Sequence, residues 1–366
     1  MNPLTLTLNV GSSSLKFALF EEAEENATDP YGLSSVLRGA ITKLGEDHPA
    51  SARLTHSSIC AKYAEATFLN LPNAKLTTDS ASEHVLGWLT EQDLGPRIQT
   101  VAHRIVHGGE SYREATALTP KVIEELADLS PLAPQHQPAA LATVTQAQRA
   151  LPDANHIGCF DTAFHTSQPF NARTYALPQD LRDQGVRHYG FHGLSYQFVV
   201  DHLRHRNALP QRLIVAHLGS GASLCAIQDG QSIATTMGMT ALDGLPMATR
   251  SGTLDPGVVL YMGQELGMTS AEIEDLLYNR SGLRGLSGVS GDVSALAESS
   301  EAAAVEALDY FAYWVNRHLG SMCAALGGVD ALAFTGGIGE NSGLMRDKIW
   351  QLAGRGWCGA AHPILL

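Results

Sequence analysis

The sequence is short of positive charge, of paired cysteines and of long apolar runs, and each shortage excludes a class of protein. The net charge of -13 at pH 7 argues against a nucleic-acid-binding surface, which is normally basic. No apolar run reaches the roughly 20 residues that a membrane-spanning helix needs. No basic and apolar signal segment precedes the first glycine-rich turn. We therefore expect a cytoplasmic protein with neither a nucleic-acid partner nor a membrane partner.

The five cysteines are scattered, odd in number and never spaced as CxxC. This pattern fits thiols in a reducing compartment better than disulfides or a zinc site. The chain has 366 residues, of which 44% are hydrophobic and 17% charged. That composition is ordinary for a globular protein, and the length allows two domains with a sizeable core.

Residues 4–10 and 15–19 alternate apolar with polar side chains around a short turn of glycine and serine. This alternation predicts two antiparallel strands, each with one buried face. The turn combines Gly11 and three hydroxyl groups with Lys16, which are the donors that a phosphate needs. The spacing excludes the strand–GxxxxGK[ST]–helix phosphate loop. By itself, however, a Gly-Ser hairpin is more often a plain turn.

Residues 213–227 repeat this design, with a strand, a Gly-Ser turn and a returning strand. Gly11 aligns with Gly219 in the two turns. A similarity this short is compatible with chance, but it also predicts a structural duplication in which two hairpins hold one polyphosphate.

Two further strands precede residues of possible chemical interest. Residues 156–160 predict a strand that delivers Asp161 at its carboxyl end, where active groups of open α/β sheets tend to lie. Residues 331–335 predict another strand, followed by a glycine loop over 336–342. Such a loop before a helix lets an anion or a flat ring approach backbone N–H groups.

Helix signals occur between these strands. A short helix is predicted over 82–92, and Thr119 is predicted to cap a helix that ends near Pro131. Thr269 opens a second capped helix through a capping box. The apolar spacing over 301–326 predicts the longest helix, which we interpret as a core-packing element without a chemical role.

Six segments, taken in order, resemble the acetate kinase family of carboxylate phosphotransferases. They are NVGSSSLK at 9–16, HRIVHGG at 103–109, FDTAFH at 160–165, YGFHG at 189–193, TRSG at 249–252 and GIGEN at 337–341. The resemblance implies an α/β fold of the two-domain actin-like ATPase type, built from duplicated ribonuclease-H-like βββαβα domains. It places an N-terminal domain at 1–163, a C-terminal domain at 164–366 and ATP in the cleft between them. It further implies a homodimer that uses Mg²⁺ or Mn²⁺ and reversibly converts ATP and acetate into ADP and acetyl phosphate.

The resemblance also implies roles for individual residues. Without it, an arginine would usually be a solvated surface charge and a lone histidine a packed core residue. The implied catalytic residues are Arg104, Asp161, His192 and Arg250. The implied substrate-binding residues are Arg104, Val106, His136 and Phe191. Planar arginine side chains suit both a carboxylate and a transferring phosphoryl group.

The implied nucleotide and metal sites use the three glycine-rich segments. Ser12, Ser14 and Lys16 would line the phosphate end, and Asn9 would be the metal ligand. The nucleotide would be held by His217, Leu218, Gly219, Ser220, Gly221, Asp292, Val293, Ser294, Gly337, Ile338, Gly339, Glu340 and Asn341.

The chain departs from the family pattern at several positions. The family continues beyond the position of Leu366 and has a metal-binding glutamate there, so truncation is one explanation and weaker Mg²⁺ binding is expected. Ser294 stands where the family has arginine, Ser220 where it has asparagine, and Tyr196 where it has histidine. Gln135 and Ala241 replace leucine and proline near the acyl group.

These departures leave alternatives open. The changed acyl pocket makes propionate or another short-chain fatty acid a competitor of acetate. A catalytically impaired nucleotide-binding remnant is the second alternative, and a sugar kinase of the same fold is the third.

Overall fold

The computed structural model describes residues 2–11, 14–22, 31–42, 44–45, 51–56, 76–353 and 362–365. The chain divides into two compact units, Met1–Ala163 and Phe164–Leu366. Ser12 and the segment 354–361 lie outside the described residues. Among the described helices, none is both long and apolar enough to cross a bilayer.

The first unit contains a seven-stranded sheet with the strand order β4-β3-β2-β1-β5-β7-β6. The strands are β1 Leu4–Val10, β2 Ser14–Glu22, β3 Leu33–Thr42, β4 Ser51–His56, β5 Ile98–Ile105, β6 Thr116–Ala117 and β7 Asn155–Phe160. Strands β1 to β4 are antiparallel to one another, β1, β5 and β7 are parallel, and β6 is antiparallel to β7. The carboxyl ends of these three parallel strands therefore lie at one edge of the sheet.

The predicted opening hairpin is confirmed. Strands β1 and β2 pair antiparallel, with Leu6 opposite Leu19 and Asn9 opposite Lys16. The apolar side chains of β1 are buried and the intervening polar ones are partly exposed. The N–H of Gly11 donates to the Ser14 carbonyl over 2.8 Å, which closes the turn.

Three α-helices accompany this sheet in the described part of the unit: α1 Thr78–Glu91, α2 Pro120–Ala127 and α3 Gln137–Ala150. The predicted cap is confirmed, since the Thr119 side chain accepts the Val122 N–H. The predicted end near Pro131 is wrong, because α2 stops at Ala127 and a separate 3₁₀ turn, Ser130–Leu132, contains the proline. Proline suits the first turn of a helix because it has no N–H to bond.

The second unit contains a five-stranded sheet with the order β10-β9-β8-β11-β12. The strands are β8 Arg212–Leu218, β9 Ala222–Gln228, β10 Gln231–Thr235, β11 Ala331–Thr335 and β12 His362–Leu365. Strands β8, β9 and β10 form an antiparallel meander, and β11 is parallel to both β8 and β12. The order β3-β2-β1-β5-β7 of the first unit has the same directions, which confirms the predicted duplication of the strand arrangement. That the two hairpins hold one polyphosphate stays a prediction.

The helices of the second unit lie around this sheet. They are α4 Phe170–Arg173, α5 Gln179–Asp183, α6 Gly193–His205, α7 Pro256–Gln264, α8 Ser270–Asn279, α9 Gly282–Ser287, α10 Val293–Glu298, α11 Ala302–Leu326, α12 Gly336–Asn341 and α13 Gly343–Ala353. The predicted capping box at Thr269 is confirmed. The 25-residue α11 ends at Leu326 and is capped by Gly327, whose φ of 67° suits glycine; it packs on β9 and β10 as the core helix expected.

The glycine loop predicted over 336–342 is wrong, because Gly336–Asn341 forms helix α12. Gly336 turns the chain directly after β11 with a φ of 80°, and a Cβ there would lie 2.6 Å from the Leu218 carbonyl oxygen. Glu340 then accepts the Gly336 N–H over 3.0 Å, and the Asn341 amide donates to the Gly337 carbonyl over 2.9 Å. These side-chain bonds compensate for the low helix propensity of three glycines.

Candidate active site residues in the two units

In the first unit, the parallel strands place Arg104, Asp161 and Asn9 together. Arg104 lies on β5, Asp161 follows β7 and Asn9 lies on β1, next to β5 in the sheet. The Arg104 Nε donates to both Asp161 carboxylate oxygens over 3.1 and 3.0 Å, and Nη2 donates to Oδ2 over 2.5 Å. Nη1 donates to the Asn9 amide oxygen over 2.9 Å. Among the described residues, these contacts engage three of the five guanidinium N–H groups.

The electrostatics of this cluster favour a permanent ion pair. The Asp161 side chain is 2% exposed and that of Arg104 is 24% exposed. Burial alone would lower the pKa of Arg104, but the charge and hydrogen bonds of Asp161 outweigh it and raise that pKa. Asp161 therefore orients Arg104, a contact that sequence reasoning did not predict.

The segment after β5 is held by buried side chains that sequence reasoning missed. Thr162 accepts the Gly108 N–H over 3.0 Å, and Gln137 accepts the His107 N–H while donating to the His107 carbonyl. Burial lowers the pKa of His107 to about 4, so its uncharged Nδ1 accepts the Gly109 N–H over 2.9 Å. These bonds fix the backbone around Val106, which is buried.

The other predicted residues of the first unit are spread more widely. Lys16 is exposed and lies opposite Asn9 on the neighbouring strand. Ser14 closes the hairpin turn through its carbonyl. His136 occupies the N-terminal cap position of α3. Ser12 cannot be placed because it lies outside the described residues.

In the second unit, His192 and His217 stack with their ring centroids 4.2 Å apart. His192 precedes α6 with a left-handed φ of 59°, and His217 lies on β8. The Nδ1 of His192 lies 2.8 Å from the Ser223 hydroxyl of β9, and the Nδ1 of His217 lies 2.9 Å from the Ser195 hydroxyl of α6. The helix and the hairpin thus each contribute one imidazole and one hydroxyl.

Both imidazoles face the turn between β8 and β9. A Cβ on Gly221 would lie 3.4 Å from His192 Nε2 and 3.7 Å from Arg250 Nη1, and a Cβ on Gly219 would lie 3.9 Å from His217 Nε2. Donors from three elements therefore approach the backbone of one glycine turn, an arrangement suited to anionic oxygens.

Two neighbours orient Arg250. Its Nη1 donates to the Ala241 carbonyl over 3.1 Å, and its guanidinium lies 6.0 Å from the Tyr278 ring centroid. Gly282 lets α9 approach this loop, because a Cβ there would lie 2.2 Å from the Met247 carbonyl oxygen. Glycine is therefore required where α9 supports the arginine loop.

The Phe191 backbone before His192 is also anchored. His165 is fully buried; its Nε2 donates to the Phe191 carbonyl over 2.9 Å, and its Nδ1 lies 2.8 Å from the Ser232 hydroxyl. Burial lowers the pKa of His165 to about 4, so the imidazole stays uncharged near neutral pH. The Phe191 side chain is itself buried.

A cleft of about 680 Å³ lies within the second unit. Predicted nucleotide-binding residues lining it are Gly219, Ser220, Asp292, Val293, Ser294, Gly337, Ile338 and Asn341. Asp292 caps α10 by accepting the Ser294 N–H over 2.9 Å. The volume and the mixture of glycine, apolar and polar side chains are typical of small-molecule sites.

Five predicted nucleotide-binding residues are not among those that line this cleft: His217, Leu218, Gly221, Gly339 and Glu340. Leu218 is fully buried and Gly339 packs against Phe334, while the Glu340 carboxylate accepts from Thr335 and Gly336. Leu218 and Gly339 are therefore interior residues, whereas Glu340 is exposed and bonds back to the start of α12.

Over the described ranges, no three side chains of His, Cys, Asp or Glu gather in a way that could hold a metal ion. The Asn9 amide oxygen is a hard ligand of the kind that Mg²⁺ accepts. It already accepts a bond from Arg104.

Sequence comparison decides the family. The sequence model of the Acetokinase family matches residues 4–355. The chain belongs to the Acetokinase family.

Two acetate kinases are similar in sequence to this family member over most of its length. It is 45% identical to an acetate kinase of Methylocella silvestris over 98% of this chain and 88% of that protein. It is 44% identical to an acetate kinase of Rhodopseudomonas palustris, again over 98% and 88% of the two chains.

Solved structures agree with the predicted fold. A Porphyromonas gingivalis acetate kinase superposes with a TM-score of 0.76 and 35% identity, covering 95% of this chain and 86% of the other. A Francisella tularensis propionate kinase superposes with a TM-score of 0.84 and 30% identity, covering 99% and 96%. The predicted α/β fold is thereby confirmed as that of acetate and propionate kinases.

Proposed function

We propose that this chain is an acetate kinase, which transfers the γ-phosphoryl group of ATP to acetate. One observation carries the proposal, namely 45% identity to a named acetate kinase over 98% of the chain. In the reaction a carboxylate oxygen attacks the γ-phosphorus, the bond to the ADP oxygen breaks, and no proton needs to move. Such a transfer depends mainly on positioning and charge neutralisation.

The arginines and His192 supply the groups that this chemistry needs. We assign to the carboxylate of the acid the two guanidinium N–H groups of Arg104 that have no bond to the described residues, with Asp161 and Asn9 holding the guanidinium plane. We assign His192 and Arg250, which both face Gly221, to the oxygens of the transferring phosphoryl group. Preorganised hydrogen-bond donors that face the charge developing in a transition state usually make the largest contribution to its stabilisation.

We propose that the cleft of the second unit binds the nucleotide. Its lining by residues of the β8–β9 turn, α10 and α12 supports this assignment. Residues 1–163 and 164–366 would then be the two domains of the ATPase fold. A cytoplasmic location follows from the need for ATP, and free thiols at Cys159, Cys225 and Cys323 suit a reducing compartment.

Mg²⁺ is proposed as the ion that accompanies ATP, with Asn9 as its ligand from the described part of the protein. Mg²⁺ keeps several waters and is usually held by one or two protein oxygens together with substrate phosphates. When bound, it would neutralise phosphate charge.

Propionate is a second candidate acceptor, because the propionate kinase structure superposes with a TM-score of 0.84. The two acids differ by one methylene, which an apolar pocket distinguishes by about 1–3 kcal/mol. The ratio of kcat/KM for acetate and propionate therefore separates the two assignments.

We further propose a homodimer formed through α7. Val258, Val259, Leu260 and Tyr261 are each more than a third exposed, and no charged residue occurs within Pro256–Gln264. A helix that is apolar on all sides is normally buried, and a second copy of the chain would cover it.

The test is ATP-dependent formation of an acyl phosphate, trapped as the hydroxamate with hydroxylamine. We expect product with acetate and, more slowly, with propionate. Thermal stabilisation by ATP without product from acetate, propionate or butyrate at millimolar concentration would contradict the proposal and favour a nucleotide-binding remnant.

A further inference from the structure

Behind His192 lies a buried pair of hydroxyl groups that the proposed roles do not use. The Ser223 hydroxyl is 2.8 Å from His192 Nδ1 and also contacts the Tyr196 hydroxyl. Tyr196 and Ser223 are both 0% exposed. Water therefore has little access to these two hydroxyl groups, and each fixes the orientation of the other.

We propose that Tyr196 and Ser223 are positioning residues that hold the hydrogen of the His192 imidazole on Nε2. This inference rests on the proposed function and deepens it, since it names how the phosphoryl-facing nitrogen becomes a donor. Tyr196 donates to Ser223, Ser223 donates to Nδ1, and Nε2–H is left to face Gly221. An uncharged imidazole has one donor and one acceptor nitrogen, so the partner of Nδ1 decides the state of Nε2.

The direction of this relay follows from the acidity of its members. A phenol is a stronger acid than an aliphatic alcohol, so Tyr196 is the better donor of the two hydroxyls. An imidazole nitrogen with a lone pair is in turn a good acceptor for the Ser223 hydrogen. The reverse direction would put the hydrogen on Nδ1 and leave Nε2 a lone pair, which repels phosphoryl oxygens.

The backbone makes the relay possible. His192 is the N-terminal cap residue of α6, and Ser195 and Tyr196 follow it in the first turn of the helix. The N–H groups of Ser195 and Tyr196 both donate to the His192 carbonyl, over 2.9 and 3.1 Å. Ser223 lies directly opposite His217 in the β8–β9 pair. The relay thus joins the helix to the same hairpin that carries the glycine turn.

The direct test is the tautomer of His192, read by long-range ¹H–¹⁵N correlation NMR on the full chain with labelled histidine. A His192→Gln variant identifies the signals. We expect a single Nε2–H tautomer in the unmodified chain and a mixture in Tyr196→Phe and Ser223→Ala. An Nδ1–H tautomer, or an unchanged tautomer in both variants, would overturn the inference. This readout does not depend on turnover, so an inactive chain with the Nε2–H tautomer refutes the proposed function alone.

Kinetics supply a second test with a matched control. We expect Tyr196→Phe to lower kcat about 10-fold or more while KM for ATP and acetate stays within about two-fold, because the lost donor acts in the transition state. In the Ser223→Ala background the same change should lower kcat little further, because Tyr196 acts through Ser223. Ser82→Ala is the control: its buried hydroxyl lies 3.1 Å from that of Thr143, and neither has an assigned role. A loss of kcat in Tyr196→Phe no larger than in Ser82→Ala, or fully additive losses, would overturn the inference.

Discussion

Replacing Asp161 with asparagine keeps the size of the side chain but removes the negative charge that faces Arg104. The Asp161 side chain is 2% exposed and receives three hydrogen bonds from the guanidinium group. Breaking a buried ion pair costs about 3–5 kcal/mol, and we expect the lower end because Arg104 is a quarter exposed. The amide also presents an N–H₂ group to the guanidinium, so the arginine plane should turn.

The catalytic activity of Asp161→Asn should fall further than its loss of stability alone would explain. Loss of one oriented donor in a preorganised site lowers the rate by about 10²–10³-fold. We therefore expect kcat/KM for acetate to fall by this factor in Asp161→Asn, measured by hydroxamate formation at a temperature where thermal unfolding shows the variant to be folded.

A matched control comes from the second unit. Arg212 and Asp330 form an ion pair of the same kind, with Nε–Oδ1 at 3.1 Å and Nη2–Oδ1 at 2.5 Å, but both side chains are 36% exposed. Asp330→Asn should leave kcat/KM unchanged and lower stability little, because exposed pairs are screened by water. A kcat/KM for Asp161→Asn that falls no further than that of Asp330→Asn would show that Asp161 does not orient Arg104 for catalysis.

Three further predictions concern pH, the nucleotide and assembly. Burial, helped by His156, lowers the pKa of His103 to about 3, and burial lowers that of His107 to about 4. The unfolded chain therefore binds more protons than the folded chain as the pH falls below 6.5. The stability that the two uncharged histidines contribute is complete above pH 6.5, and together they lose about 4 kcal/mol of it at pH 5. We expect a lower melting temperature at pH 5 than at pH 7.5, and equal melting temperatures would contradict this. Ser294→Trp should raise the Kd for ATP about 10-fold or more in calorimetry, because the larger side chain fills the cleft that the nucleotide would occupy. An unchanged Kd would show that ATP does not bind in this cleft. Leu260→Glu should convert a dimer into a monomer in sedimentation, because an uncompensated charge is costly in an apolar interface, and an unchanged mass would place the interface elsewhere.

Local patterns predicted much of the fold. Strict alternation over residues 4–10 predicted β1, and capping side chains at Thr119 and Thr269 predicted two helix starts. The short repeat at Gly219 predicted the duplication that the two sheet orders confirm. These patterns depend on neighbouring residues only, so they can be recognised before any tertiary contact is known.

The contacts of the candidate site were harder to predict. The pairing of Arg104 with Asp161 joins residues 57 positions apart and depends on the parallel register of β5 and β7. The contact of His192 with Ser223 depends on how α6 packs on the second sheet. Local spacing could not have found this contact, because His192 precedes α6 in a left-handed conformation and Ser223 lies on a distant strand. Helix α12 was missed because its side-chain hydrogen bonds override the low propensity of glycine.

Direct phosphoryl transfer from ATP to acetate can be followed by ³¹P NMR of the full chain with MgATP and acetate. We expect acetyl phosphate and ADP to appear in equal amounts, and the reverse reaction to regenerate ATP from them. Inorganic phosphate and ADP without acetyl phosphate, or unchanged ATP with a protein that binds it, would show that the chain is not an acetate kinase.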